Sequence, residues 1–207
     1  MSDVLISIQP KWCELILSGK KIVEVRKSFP MENVGEEWET VNPFKCYIYC
    51  SKGKPGVNGS HRHFYQAADR PRDFMGGTVI AEFMCRKMEK FDFAWSEYAY
   101  AVAPPGSVMP MHEETALRIM TEKGCLTYDD ITAYFGDEDY KAFFWHISDL
   151  KIYDEPKPLT NFHRPCPEGL YCESCAMHNE HPVPHCGNYA LEIRRAPQSW
   201  CYAEDQT

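Results

Sequence analysis

Within the stretch SGKKIVEVRKS, residues 18–28, Lys21, Glu24 and Arg26 bring two cations and one carboxylate together. Arg26 offers a planar fork of donors for a phosphate or a base edge, Lys21 a compact cation, and Glu24 an acceptor for an exocyclic amine. In a cleft that excludes water, a shifted Glu24 could also serve as general acid or base. Spacing alone leaves a second reading open, a surface strand whose charges pair with one another.

A second cluster lies in the tail, RPCPEGLYCESCAMHNEHPVPHC, residues 164–186. Cys172 and Cys175, two residues apart, can hold a metal from a tight turn, with Cys166 before them and Cys186 after them completing four thiolates. His163, His178, His181 and His185 are substitutes for any of these. Reduced, packed cysteines or a redox pair are the alternatives. A closed four-ligand zinc site leaves no position for a catalytic water, so the expected role is structural.

The elements that must position these groups are legible in the pattern. Val4–Ile8 alternates as a strand, and Pro10 opens a helix over residues 11–18 whose Trp12, Leu15 and Ile16 share one face. Gly19 ends that helix, and Ile22, Val23 and Val25 favour a strand in which Glu24 and Arg26 point to one side. Further strands are expected at Phe44–Ser51, at Thr78–Cys85 after the Gly76-Gly77 turn, and as one or two strands over Lys141–Tyr153, stopped by Pro156 and Pro158. Residues 52–77 read as a mobile surface excursion and 104–115 as an irregular connection. Thr127 reads as the N-cap of a short helix that ends at Gly136. His146, next to Trp145, faces the opposite way on a regular strand and reads as a structural residue.

At 207 residues and 44% hydrophobic content the chain can bury one well-packed domain, with or without a small appendage. No apolar run approaches the roughly 18 residues that span a bilayer, and the start, MSDVLISIQP, lacks the features of a signal peptide. A cytoplasmic setting and no membrane partner are expected. Ten cysteines in such a chain read as free thiols or metal ligands rather than a disulfide scaffold. Cys13, Cys46, Cys50, Cys85 and Cys125 sit in apolar segments and read as small buried hydrophobes, and Cys201 as packed under the domain. The net charge of −8 argues against a general nucleic-acid coat, yet residues 1–90 carry 14 Lys and Arg against 11 Asp and Glu, so a local basic cleft is compatible with it.

GKKIVEVR, set behind ISIQPKWCELILSG, resembles the ASCH-domain signature G-x-K-x-x-E-x-R. The similarity continues through FKCYIYCS, TVIAEF, LTYDDITAYFG and FFWHISDLKIYDEPKPL, and PQSWCY looks like the ending of ASCH proteins common in Firmicutes and their phages. The resemblance implies an α+β, PUA-like fold over residues 1–159: a small mixed β-barrel with flanking helices, followed by a Cys/His-rich extension, 160–207, packed on it. It implies a cleft between the first helix and the barrel that binds RNA, a nucleotide or a modified nucleobase. Lys21, Glu24 and Arg26 match the motif positions, Lys11 and Lys20 would add phosphate contacts, and Trp12 and Trp145 are the candidate stacking residues. The alternative is a hydrolase, a ribonuclease or an amidohydrolase of acylated cytidine, with Lys21 and Glu24 as acid/base pair. The branch that hydrolyses acetylated cytidine has a threonine where this chain has Glu24, which leaves only a water-mediated version open. For the tail, protein purified under reducing conditions is expected to carry stoichiometric zinc; metal analysis finding none would contradict the four-thiolate site.

Overall fold

Strand alternation sorts the side chains of the larger sheet into two cores. The computed structural model describes residues 2–30, 42–53, 61–66, 71–93, 100–102, 112–136, 140–166 and 189–206. β1 (Val4–Ile8) sends Val4, Ile6 and Ile8 to one face and Leu5 to the other. After it come α1 (Pro10–Leu17), β2 (Val23–Arg26) and β3 (Phe44–Cys50), the last with Cys46, Ile48 and Cys50 facing one way and Tyr47 and Tyr49 the other. Next are β4 (Arg62–Gln66), β5 (Pro71–Met75), β6 (Thr78–Cys85), β7 (Met88–Asp92) and β8 (Tyr100–Val102). Then follow α2 (Glu113–Arg118), α3 (Tyr128–Phe135), β9 (Lys141–His146), β10 (Ser148–Lys157), β11 (Phe162–His163), β12 (Trp200–Tyr202) and β13 (Glu204–Asp205).

Five strands form one sheet in the order β10-β6-β3-β1-β12, four form another in the order β2-β9-β7-β8, and β4-β5 and β11-β13 are separate pairs. The main core lies between the two large sheets, with Trp145 and Phe143 of β9 meeting Ile6, Ile48 and Phe83. A second core packs Val23, Val25 and Phe144 against Met120, Ile131 and Phe135 of the helical side. A third packs Leu5, Tyr47 and Val79 under Phe162, Ile193 and Ala203. The class is α+β, as expected. Among the described residues, however, the sheets stay open and form no closed barrel. The reason is in the pairing: β1 has both edges taken, by β3 in parallel and by β12 in antiparallel, so β2 pairs with β9 instead.

Other differences have local causes. Within the segment 52–77, the described β4-β5 pair sends Tyr65 and Phe74 into the main core, so that pair is anchored by packing. Pro156 lies inside β10, an edge strand, at the irregular stretch between the Ile152–Ala81 and Lys157–Val79 pairs, where a missing N–H is tolerated. Cys125 is only half-buried and sits at φ 55, unlike buried Cys13, Cys46, Cys50 and Cys85. Burial pushes the Cys13 and Cys46 thiols well up and Cys85 to about 12, so these three act as neutral apolar groups. No helix among the described residues is long and apolar enough to cross a membrane.

His146 faces away from Trp145, and its Nε2 lies 2.6 Å from Glu89 Oε2, while Lys87 Nζ lies 2.6 Å from Glu89 Oε1. Burial works to raise the Glu89 pKa, but the His146 and Lys87 hydrogen bonds outweigh it and hold the group down to about 2. A depressed carboxylate contributes stability above its unfolded-state pKa and loses it as pH falls through the folded value. Glu89 is therefore expected to contribute on the order of 2 kcal/mol above about pH 5, lost progressively toward pH 2. Urea unfolding across that range is predicted to show a shallower pH slope for Glu89→Gln than for the wild type; equal slopes would contradict the assignment.

Candidate functional site

β2 is buried on both faces, which is why its charges behave unlike those of a surface strand. Val23 and Val25 enter the helical core, and Glu24 and Arg26 point the other way, toward the space between the sheets. Lys21, Glu24 and Arg26 are only 2%, 6% and 7% exposed. α1 ends in Ser18, and Gly19 at φ 75 takes the left-handed turn that reverses the chain, with the Lys20 and Lys21 N–H groups both donating to Leu15 O. That turn delivers Lys21 to the head of β2.

The three side chains form one ionic array. Lys21 Nζ lies 3.4 Å from Glu24 Oε2, and Arg26 Nε 2.9 Å from Glu24 Oε1. The second approach is an ion contact without the alignment of a hydrogen bond. Hydrogen bonds to the cations come from elsewhere: Lys21 Nζ donates to Gly124 O at 2.6 Å, Arg26 Nη2 to Ser7 O at 2.7 Å and Arg26 Nη1 to Ser199 Oγ at 3.4 Å. Ser7 is fixed in turn, its Oγ donating to Pro197 O and its N–H to Ser199 O. Glu24 Oε2 is buried and accepts no hydrogen bond.

This array lies in a cleft of about 580 Å³ between α1, β2, α3 and the segment Ala196–Gln198. Trp12 of α1 and Tyr134 of α3 line it, with Ser7, Tyr49 and Leu126. Lys11 Nζ and Lys21 Nζ stand 4.2 and 5.3 Å from the centroid of the Trp12 ring, a cation–π arrangement that orients the indole. Burial raises the Tyr134 pKa, although the nearby Arg26 opposes it, so the phenol keeps its proton. The interior end of the cleft thus offers a carboxylate acceptor, and its walls offer aromatic surface.

Of the residues expected at the site, Trp12, Lys21, Glu24 and Arg26 come together in this cleft. Lys11 stands at its mouth, its Nζ 3.0 Å from Asp130 Oδ1. Lys20 is exposed and does not line the cleft. Trp145 requires a correction: its side chain is 0% exposed in the main core, edge-on to Phe44 at 5.7 Å and with Trp200 at 6.1 Å, and it offers no stacking face. Cys166 is half-buried, whereas Cys172, Cys175 and Cys186 lie outside the described residues. Among the described residues no group of three or more His, Cys, Asp and Glu could hold a metal.

Two partners were not legible in the motif. Gly124 follows a π-helical turn, Ile119–Lys123, and a Cβ there would lie 2.5 Å from Met120 O and 3.1 Å from Val25 Cγ2. Only glycine lets the chain come close enough for its carbonyl to hold Lys21. Ser199 belongs to the C-terminal stretch beside β12. A glycine after a helix is the one sequence signal for the first; the second carried none.

The chain matches no family model and no curated protein. It is similar to the crystal structure of ASCH from Zymomonas mobilis, at 15% identity and a TM-score of 0.47, over 98% of this chain and 88% of that one. Structures of two variants of the same Zymomonas protein give TM-scores of 0.49 at 15% and 13% identity, covering 100% and 99% of this chain and 93% and 90% of theirs.

Removing one member of a buried ionic array strands the charge of the others, which costs about 3–5 kcal/mol, whereas an exposed ion pair contributes roughly 1 kcal/mol or less. Lys21→Met is accordingly expected to lower the unfolding free energy several times more than Lys11→Met in urea titrations. Equal, small effects would contradict the array.

Proposed function

We propose that the chain is an ASCH-type binding module that takes a single nucleobase into the cleft, whether carried by a nucleoside, a nucleotide or single-stranded RNA. The observation that carries this reading is the burial of Lys21, Glu24 and Arg26 as one array at the inner end of the cleft, with Glu24 Oε2 accepting no hydrogen bond. A buried carboxylate oxygen that has an ion contact, here Lys21 Nζ at 3.4 Å, but accepts no hydrogen bond is better satisfied when a donor reaches it, and an exocyclic amine or ring N–H supplies one. Trp12 and Tyr134 supply apolar and π contact for the ring plane, worth roughly 1–3 kcal/mol per stacked base. An extruded or unpaired base is the part of RNA that such a cleft accommodates.

The geometry favours binding over hydrolysis. Position 24 has no hydroxyl nucleophile, and Lys21 directs a proton to Gly124 O, which uses its ammonium as a fixed cation. The PUA-like, RNA-directed expectation and the zinc expectation for Cys166, Cys172, Cys175 and Cys186 are part of the same proposal and rest on the sequence.

Calorimetric titration with the four common ribonucleosides tests the reading. Saturable binding of at least one base bearing an exocyclic amine is expected, weakened at least tenfold in Glu24→Gln protein whose circular dichroism matches the wild type. No binding of any nucleoside, or equal binding by the variant, would remove Glu24 and the cleft from this role.

A further inference from the structure

We propose that Asp130 sets the ligand class of the cleft by neutralising Lys11 at its mouth, so that an uncharged base or nucleoside is selected over its phosphorylated form. The proposal rests on the nucleobase reading above. Among the described residues, the charged groups lining the cleft are Lys21, Arg26, Glu24 and Asp130, two of each sign. Both cations are already committed, Lys21 to Gly124 O and Glu24, Arg26 to Ser7 O, Ser199 Oγ and Glu24. A phosphate therefore needs a cation from outside the lining, where Lys11, Lys20 and Lys27 are exposed; Lys27 Nζ already stands over the Tyr134 and Phe135 rings, 5.2 and 5.7 Å from their centroids.

Lys11 touches the lining at two residues, Trp12 and Asp130; its side chain is 60% exposed, but it is paired to Asp130 across the gap between α1 and α3. Asp130 does not swing away freely. Its Oδ2 accepts from the Thr127 N–H at 2.9 Å and the Thr127 hydroxyl at 2.7 Å, the capping box of α3, while Oδ1 faces Lys11. Those Thr127 hydrogen bonds, with Lys11 behind them, hold its pKa down to about 2, so the carboxylate stays charged at any ordinary pH. A phosphate arriving at Lys11 meets a fixed anion a few ångströms away and must displace it.

The test compares each ribonucleoside with its 5′-monophosphate, by calorimetry at low ionic strength, for wild type, Asp130→Asn and the double variant Lys11→Met/Asp130→Asn. Asparagine keeps an oxygen for the Thr127 N–H, and thermal melts verify the fold; Asp130→Ser serves as a second variant. The wild type is expected to bind the nucleoside at least as tightly as the monophosphate. Asp130→Asn is expected to shift the affinity ratio about tenfold toward the monophosphate, the scale of removing one nearby like charge. The double variant is expected to return the ratio to that of the wild type. A wild-type preference for the monophosphate, or an unchanged ratio in Asp130→Asn, overturns the proposal. Inorganic phosphate followed by NMR at the Lys11 ammonium separates it from the nucleobase reading. If no nucleoside or nucleotide binds, that reading fails, yet a Lys11 resonance that shifts with phosphate only in Asp130→Asn still supports the role of Asp130. The same response in both proteins overturns it.

Discussion

Taking three charged side chains out of water costs several kcal/mol per ion, and Lys21, Glu24 and Arg26 bear that cost only because each cation is met twice, once by Glu24 and once by the backbone. The backbone partners come from distant parts of the chain. The Gly124 carbonyl follows the π turn after α2 and the Ser7 carbonyl belongs to β1, while the one side-chain acceptor, the Ser199 hydroxyl, precedes β12. The array therefore ties together both large sheets, the helical layer and the C-terminal segment. Its requirements explain features that are otherwise odd, including a π-helical turn and a glycine whose Cβ would collide with Met120 O.

The same commitments give the cleft its chemical character. Its cations are present but spoken for, so a basic motif produces a charge-balanced pocket in which one buried carboxylate oxygen, Glu24 Oε2, has an ion contact with Lys21 but accepts no hydrogen bond. On the proposed reading, recognition would fall to hydrogen-bond donors on a planar ligand and to Trp12 and Tyr134, rather than to counterion release from phosphates. The second charged cluster, Lys87–Glu89–His146, solves the same burial problem on the other face of the smaller sheet. The two differ in alignment: Glu89 accepts a hydrogen bond at each oxygen, whereas Glu24 Oε2 faces Lys21 Nζ at 3.4 Å without accepting one.

Much of this was legible in residues 1–30. Pro10 and Gly19 bracketed α1, and the alternation in IVEVR placed Glu24 and Arg26 on one side of β2. The capping box at Thr127 and Asp130 and the stop at Gly136 were equally readable, because caps depend on local chemistry. What the pattern did not carry was tertiary. Whether β2 lay at a surface depended on α2, α3 and β9 covering it, and whether β1 and β2 closed a barrel depended on β12 arriving from almost two hundred residues away. Trp145 and Trp12 look alike in sequence; only the packing of Phe44 and Trp200 around Trp145 separates the core residue from the cleft residue. Lys11 read as a phosphate contact because its partner Asp130 is more than a hundred residues distant.

The central claim is that the Glu24 carboxylate is the group a ligand reaches. Carboxyl-carbon NMR on protein labelled in its glutamate side chains observes that group directly during a nucleoside titration. The account predicts that the Glu24 carboxyl resonance moves in step with saturation while that of Glu89 stays fixed. Saturable binding that leaves the Glu24 resonance unmoved would contradict it.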